Sequence, residues 1–153
     1  MIITIKALSG TMMKQLLFLA FFLMPFFGSS QDKSAGITGV WLTEIKDAKI
    51  EIYQESKQYY GRVVWLAEPN DKEGKPMVDE KNPDASLKNR PIIGINILIS
   101  LVSNQHGEWV GQIYDPKGGK MYTCKVWRSG STLKVRGYMG WLYATKTWTR
   151  AVL

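Results

Sequence analysis

Acyl-transfer chemistry of the serine or cysteine kind needs a nucleophile bonded to a base, most often a histidine. The chain has one histidine, His106, and it stands in Asn104-Gln105-His106-Gly107, a run of turn-forming residues. It reads as an exposed hairpin tip with no Ser-His-Asp or Cys-His pairing. The one cysteine, Cys124, alternates with Tyr122 and Val126 in a strand-like run, which predicts a buried, inert thiol. A single cysteine also leaves no internal disulfide to form. Zinc asks for grouped His and Cys ligands, which one of each does not supply. The acids Asp71, Glu73, Asp79, Glu80 and Asp84 lack the spacing of a calcium-binding EF-hand. No cofactor and no metal are expected. Two carboxylates held about 5–9.5 Å apart could cleave glycosidic bonds. Asp79, Asp84 and Glu68 are the candidates for that hydrolase reading, against the plainer one that charged loop residues are solvated.

Aromatic residues are more distinctive. All six Trp, at positions 41, 65, 109, 127, 141 and 148, lie after residue 30. Large aromatics supply core area in a small domain, but ligand pockets are also mostly apolar with a few placed polar groups. Trp65 and Trp109 flank segments where the mouth of a pocket could lie, and Arg90 could meet a carboxylate or phosphate head. These three are the candidate ligand-binding residues.

The elements that position these side chains read as strands. Runs rich in Val, Ile, Tyr, Trp and Thr recur between clusters of Gly, Pro, Asn, Asp and Lys. The strands predicted are Thr38 to Glu44, Ala48 to Gln54, Gln58 to Ala67, Ile92 to Ser103, Glu108 to Tyr114, Lys120 to Arg128, Thr132 to Tyr138 and Leu142 to Arg150. Ile50 and Ile52 oppose Lys49 and Glu51; Leu133, Val135 and Met139 oppose Lys134, Arg136 and Tyr138; Ile93, Ile95, Ile97, Ile99 and Leu101 form one apolar row. Short connections suit a meander of hairpins. The fold class expected is all-β: a single antiparallel up-and-down barrel of eight strands with one long ordered loop. Such a barrel is filled by its own side chains or holds one small ligand.

The long loop runs from Glu68 to Pro91. Its Pro, Asn and Asp residues favour a series of fixed turns over a flexible linker. Asn70, Asp71, Asp79, Asn82 and Asp84 are candidate docking residues on it.

Lys14, the apolar run Leu16 to Phe27 and the small residues Gly28, Ser29 and Ser30 have the order of a secretory signal peptide. The run is shorter than the roughly 20 apolar residues of a spanning helix and contains Pro25. A leader over residues 1–30 and one β domain over 31–153 are expected, with no transmembrane anchor in the mature form. Without the leader the chain has 18 basic and 13 acidic residues, about +5. That excess favours solubility or anionic envelope surfaces. No Lys/Arg-rich run argues for nucleic acid.

Gly39-Val40-Trp41, Gly61-Arg62-Val63-Val64-Trp65, Glu68-Pro69-Asn70-Asp71, Gly74-Lys75-Pro76, Asn82-Pro83-Asp84, Arg90-Pro91-Ile92-Ile93-Gly94, Ile113-Tyr114-Asp115-Pro116, Gly119-Lys120-Met121-Tyr122, Leu133-Lys134-Val135-Arg136-Gly137-Tyr138 and Thr147-Trp148-Thr149-Arg150 closely resemble the exported bacterial domain-of-unknown-function family 2147. The resemblance spans nearly all of the chain after the leader. It implies an exported, small barrel-like domain and brings no established activity or catalytic residues. A fainter likeness to lipocalin-type barrels rests on Gly39, Trp41 and Arg150, which match a Gly-x-Trp on the first strand packed against a basic residue on the last. That likeness implies that the three close the barrel base. The expected function is an exported, periplasmic module binding a small lipidic or amphipathic molecule, with the long loop as lid or rim. The alternatives are an envelope assembly or stress protein docking through the loop, and the hydrolase.

Overall fold

The computed structural model describes residues 36–153, so the leader expected over residues 1–30 lies outside the described residues. Alternation of apolar and polar residues lets a strand bury one face, and the register follows it. Strand β1 (Gly39–Leu42) pairs with β2 (Ala48–Glu55), setting Trp41 opposite Ile50 and Gly39 opposite Ile52. Hairpins continue through β3 (Gln58–Leu66), β4 (Asn96–Ser103), β5 (Glu108–Asp115), β6 (Lys120–Ser129), β7 (Thr132–Met139) and β8 (Leu142–Arg150). β8 returns to β1, and the sheet is a closed eight-stranded antiparallel up-and-down barrel. This is the architecture expected from the strand spacing.

The inner face is densely filled over one half. Ile37, Trp41, Ile50, Ile52, Leu98, Leu101, Cys124, Val126 and Leu133 are all fully or almost fully buried. Each buried aliphatic side chain contributes about 1.5–3 kcal/mol, so this end supplies most of the apolar driving force. The β2–β3, β4–β5 and β6–β7 turns lie here. The β1–β2, β5–β6 and β7–β8 turns and the long β3–β4 connection lie at the other end.

β4 differs from expectation in an instructive way. It begins at Asn96 rather than Ile92, because Ile92 to Ile95 close a tight turn in which Ile95 N–H donates to the Ile92 carbonyl. Ser100 then adopts φ 52°, and the β4–β5 register shifts between Ile99 and Val102. This bulge breaks the period-two row. Leu98 and Leu101, three residues apart, both point into the core, while Ile93 is 45% exposed and Ile99 faces outward.

The β3–β4 connection is ordered as a chain of fixed turns. Asn70 bridges Pro76, Val78 bridges Pro91, and a short 3-10 helix spans Ala85–Leu87. Asp71 Oδ1 accepts from the N–H groups of Glu73 and Lys75, and Asp84 caps the 3-10 helix by accepting from Ser86 N–H. These are the local side-chain-to-backbone bonds that Asp favours.

Candidate functional site

The long loop does not hang over the barrel mouth. It folds against the outer wall, and its anchor is Asp79. That carboxylate is 0% exposed. Its Oδ1 accepts from the Tyr114 hydroxyl at 2.7 Å, and its Oδ2 accepts from Asn82 Nδ2 at 2.7 Å and from Arg90 Nη2 and Nε at 2.8 and 3.0 Å. Tyr114 alternates away from the inward-facing Ile113 yet is only 5% exposed, because the loop covers it. Asn82 Nδ2 also reaches the Tyr114 oxygen at 3.1 Å, and Arg90 stacks over the Tyr114 ring at 5.9 Å. Gly119 lets the loop approach: with φ +63° it lies where a side chain would run into the Lys81 carbonyl.

Burial would raise the Asp79 carboxyl, but the bonds from Asn82, Tyr114 and Arg90 and the Arg90 charge outweigh it and hold the group below the usual carboxylate range. Burial, with the Asp79 bond and charge, pushes the Tyr114 hydroxyl up to about 12. Asp79 is therefore an ionised structural anchor with every oxygen occupied. Asp84 is likewise held low by its bonds from Ser86. Neither carboxyl is kept protonated to act as a general acid near neutral pH.

Beside this anchor the loop and wall enclose a groove of ≈ 680 Å³. Tyr60, Ile99 and Met121 form its barrel side, and Pro83, Leu87 and Arg90 its loop side. The long walls are apolar, while Arg90 and Asn82 make one end polar. This combination of apolar walls and a few placed polar groups suits a small amphipathic ligand. A smaller pocket of ≈ 280 Å³ lies at the mouth end, lined by Tyr122, Gly137, Met139, Leu142 and Ala144 among others.

The three candidate ligand residues do not share a cavity. Arg90 lines the groove. Trp65 is on the outer wall, 39% exposed, with Lys49 Nζ 5.5 Å above its ring. Trp109 packs edge-on against Tyr59 at the filled end, 6.0 Å between ring centres, with its indole N–H buried and unpaired among the described residues. Of the five docking candidates, Asn70, Asp71 and Asp84 are exposed, whereas Asp79 and Asn82 are turned inward. Asp79 binds Tyr114, Asn82 and Arg90, and Asn82 binds Asp79, Tyr114 and the Asp84 N–H. Sequence reading missed the groove residues Tyr60, Ile99, Leu87 and Met121. Ile99 reads as one row with Leu101, which the Ser100 bulge between them breaks, and nothing local marked the others.

Other expectations concern the interior. His106 is exposed on the β4–β5 turn, its N–H bonded to Asn104 Oδ1. Cys124 is 0% exposed, and burial pushes its thiol up to about 12 against a small opposing effect of the Gly111 backbone. At the filled end Arg150 lies over the Trp41 ring at 4.4 Å and Arg128 lies at 5.1 Å. Trp41 Nε1 donates to the Ile37 carbonyl at 2.7 Å and Arg150 Nη1 donates to the Thr38 carbonyl at 2.6 Å. Gly39 suits this seam because its φ of +113° strains any other residue, and a side chain there would also displace the Arg150 guanidinium.

A closed barrel sealed at one end by Trp41 and Arg150, with its one long loop leaving from the other end, is a lipocalin-like barrel. Over residues 39–150 the sequence matches the family described as uncharacterized protein conserved in bacteria (DUF2147), and the chain belongs to that family. Among solved structures it is similar to protein HP1028 from the human pathogen Helicobacter pylori, described as belonging to the lipocalin family. The two share 22% sequence identity with a TM-score of 0.64, over 76% of this chain and 84% of that one. At that identity the likeness concerns the fold. No curated protein matches the sequence.

Proposed function

We propose that this protein is an exported, periplasmic binding module for a small amphipathic or lipidic molecule, held in the groove between the Glu68–Pro91 loop and the outer wall of the barrel. The observation that carries the reading is the groove itself: ≈ 680 Å³, apolar along Tyr60, Ile99, Met121 and Leu87, with Arg90 at one end. That volume lies within the roughly 300–1,000 Å³ typical of ligand sites. The filled half of the barrel interior favours this outer site over a deep central calyx. Arg90 gives two of its donors to Asp79 and keeps Nη1 for an anionic head, while the ligand's tail runs along Ile99 and Met121. The leader read in the sequence, with no acylatable cysteine after its apolar run, supports export as a free domain.

Calorimetric titration with a fatty acid and a lysophospholipid tests the reading. Saturable binding is expected, weakened at least tenfold by Ile99→Glu, which places a carboxylate on the apolar wall, and unchanged by Leu142→Glu at the barrel mouth. Binding lost in the mouth variant and kept in the groove variant would move the site into the barrel. No heat from either lipid class would remove the lipidic reading.

A further inference from the structure

β1 ends at Leu42 and pairs with β8 at only two positions, Trp41 with Arg150 and Leu42 with Thr149. The first half of β8 therefore has β7 on one side and, among the described residues, no strand on the other. In an antiparallel strand both backbone groups of one residue point to the same side, and alternate residues point to opposite sides. Ala151 N–H donates to the Val40 carbonyl at 2.9 Å and Thr147 N–H donates to Glu44 Oε2 at 2.8 Å, so the odd-numbered residues face away from β7. By the same parity the N–H and C=O groups of Tyr143 and Thr145 face an open edge.

The chemistry along that edge is one-sided. After Asp115 the chain carries eight Lys and Arg residues and no Asp or Glu. Arg136 Nε donates to Thr145 Oγ1 at 2.8 Å and stacks on the Tyr143 ring at 4.2 Å. Lys134 Nζ donates to Thr147 Oγ1 at 2.7 Å. Among the described residues neither cation is in a salt bridge. The protein's own carboxylate already shows what this edge accepts: Glu44, from the β1–β2 turn, takes the Thr147 N–H and lies 3.4 Å from Lys146 Nζ. Next to it Trp141 is 88% exposed, and Leu142 and Tyr143 are exposed as well. Long unpaired edges with exposed apolar residues are ordinarily avoided unless another chain pairs with them.

We propose that an extended acidic segment of a partner protein docks along β8 as an added antiparallel strand. Its backbone pairs with Tyr143 and Thr145. Its carboxylates, on the outer face, meet Arg136 and Lys134, and its alternate apolar side chains cover Leu142 and Ala144 at the mouth. This is strand addition, in which main-chain bonds give affinity and alternate side chains give specificity.

The test uses protein expressed from the whole chain and an end-capped octapeptide of alternating Glu and Val, with the Lys-Val octapeptide as control. The Glu-Val peptide is expected to slow amide exchange at Tyr143 and Thr145 at least tenfold and to shift Trp141 emission to the blue. Thr145→Pro removes one edge donor, a change that edge strands tolerate, and is expected to weaken binding at least tenfold with the strand circular dichroism intact. Arg136→Gln, which leaves the backbone edge untouched, gives a second measure and should also weaken binding. Equal binding of the Lys-Val peptide, or Glu-Val binding indifferent to both variants, would overturn the proposal. So would amides already protected in a homodimer, seen by light scattering, since a second copy would then own the edge.

Discussion

Tyr114 and Asp79, thirty-five positions apart, are joined by a hydrogen bond of 2.7 Å from the tyrosine hydroxyl to Oδ1 of a carboxylate with no solvent exposure. That bond fixes a loop of roughly two dozen residues to the wall of the barrel and thereby creates the groove. Hydrogen bonds to charged groups contribute about 1.5–3 kcal/mol. Tyr114→Phe should lower the urea-unfolding free energy by about that amount while leaving the strand signal unchanged. It should also expose the Glu68–Pro91 loop to limited proteolysis ahead of the barrel. Cleavage at the wild-type rate would show that the other Asp79 bonds suffice to hold the loop.

The same anchor sets a pH window. The Asp79 carboxyl is lowered in the folded state, since burial is outweighed by the bonds from Asn82, Tyr114 and Arg90. It therefore adds stability above its unfolded value near 3.8, and that stability drains away as pH falls below it. Asp84, lowered by the Ser86 bonds, and Asp47, whose bonds from Thr43 and Lys117 overcome its burial, act in the same direction. Tyr114 and Cys124 act oppositely. Both are pushed up to about 12, so their contributions are present below the unfolded values of 10.0 and 9.0 and are lost as pH rises towards 12. Urea midpoints should be nearly flat from about pH 5 to 8 and fall on either side. Tyr114→Phe should soften the alkaline fall, and an alkaline limb unchanged in that variant would assign it elsewhere.

At the filled end the Arg150 guanidinium lies on Gly39 and over Trp41. A cation over an aromatic face contributes about 0.5–1 kcal/mol when exposed and about 2 when desolvated. Arg150→Ala should lower stability by about 1–2 kcal/mol on that basis and quench or shift the Trp41 emission. Gly39→Ala should cost more, because it strains a φ of +113° and displaces the same guanidinium. A smaller loss in Gly39→Ala than in Arg150→Ala would contradict that packing.

Much of the barrel was legible because burying one face of a strand demands alternation. Ile50 with Ile52 and Leu133 with Val135 point inward as their spacing implies. Gly39, Trp41 and Arg150 meet at the seam between the first and last strands. The Ser100 bulge was not legible, since one residue at positive φ flips every side chain after it and no local signal demands it. The groove was hidden for a related reason. Tyr114 reads as an ordinary outer-face residue until Asp79 arrives from a distant part of the chain. Alternation distinguishes the two faces of a strand but does not say that an outer face will be covered by a loop. Trp65 and Trp109 were singled out by type, yet they lie on opposite faces and away from Arg90.

The groove beneath the loop should be occupied when the protein leaves the cell. Native mass spectrometry of the protein recovered from a bacterial periplasm, compared with its denatured mass, reads that occupancy. An added mass of lipid or small-amphiphile size is expected, one that leaves on denaturation and is missing from Ile99→Glu. A bare native mass in lipid-rich preparations, or an added mass retained by Ile99→Glu, would contradict it.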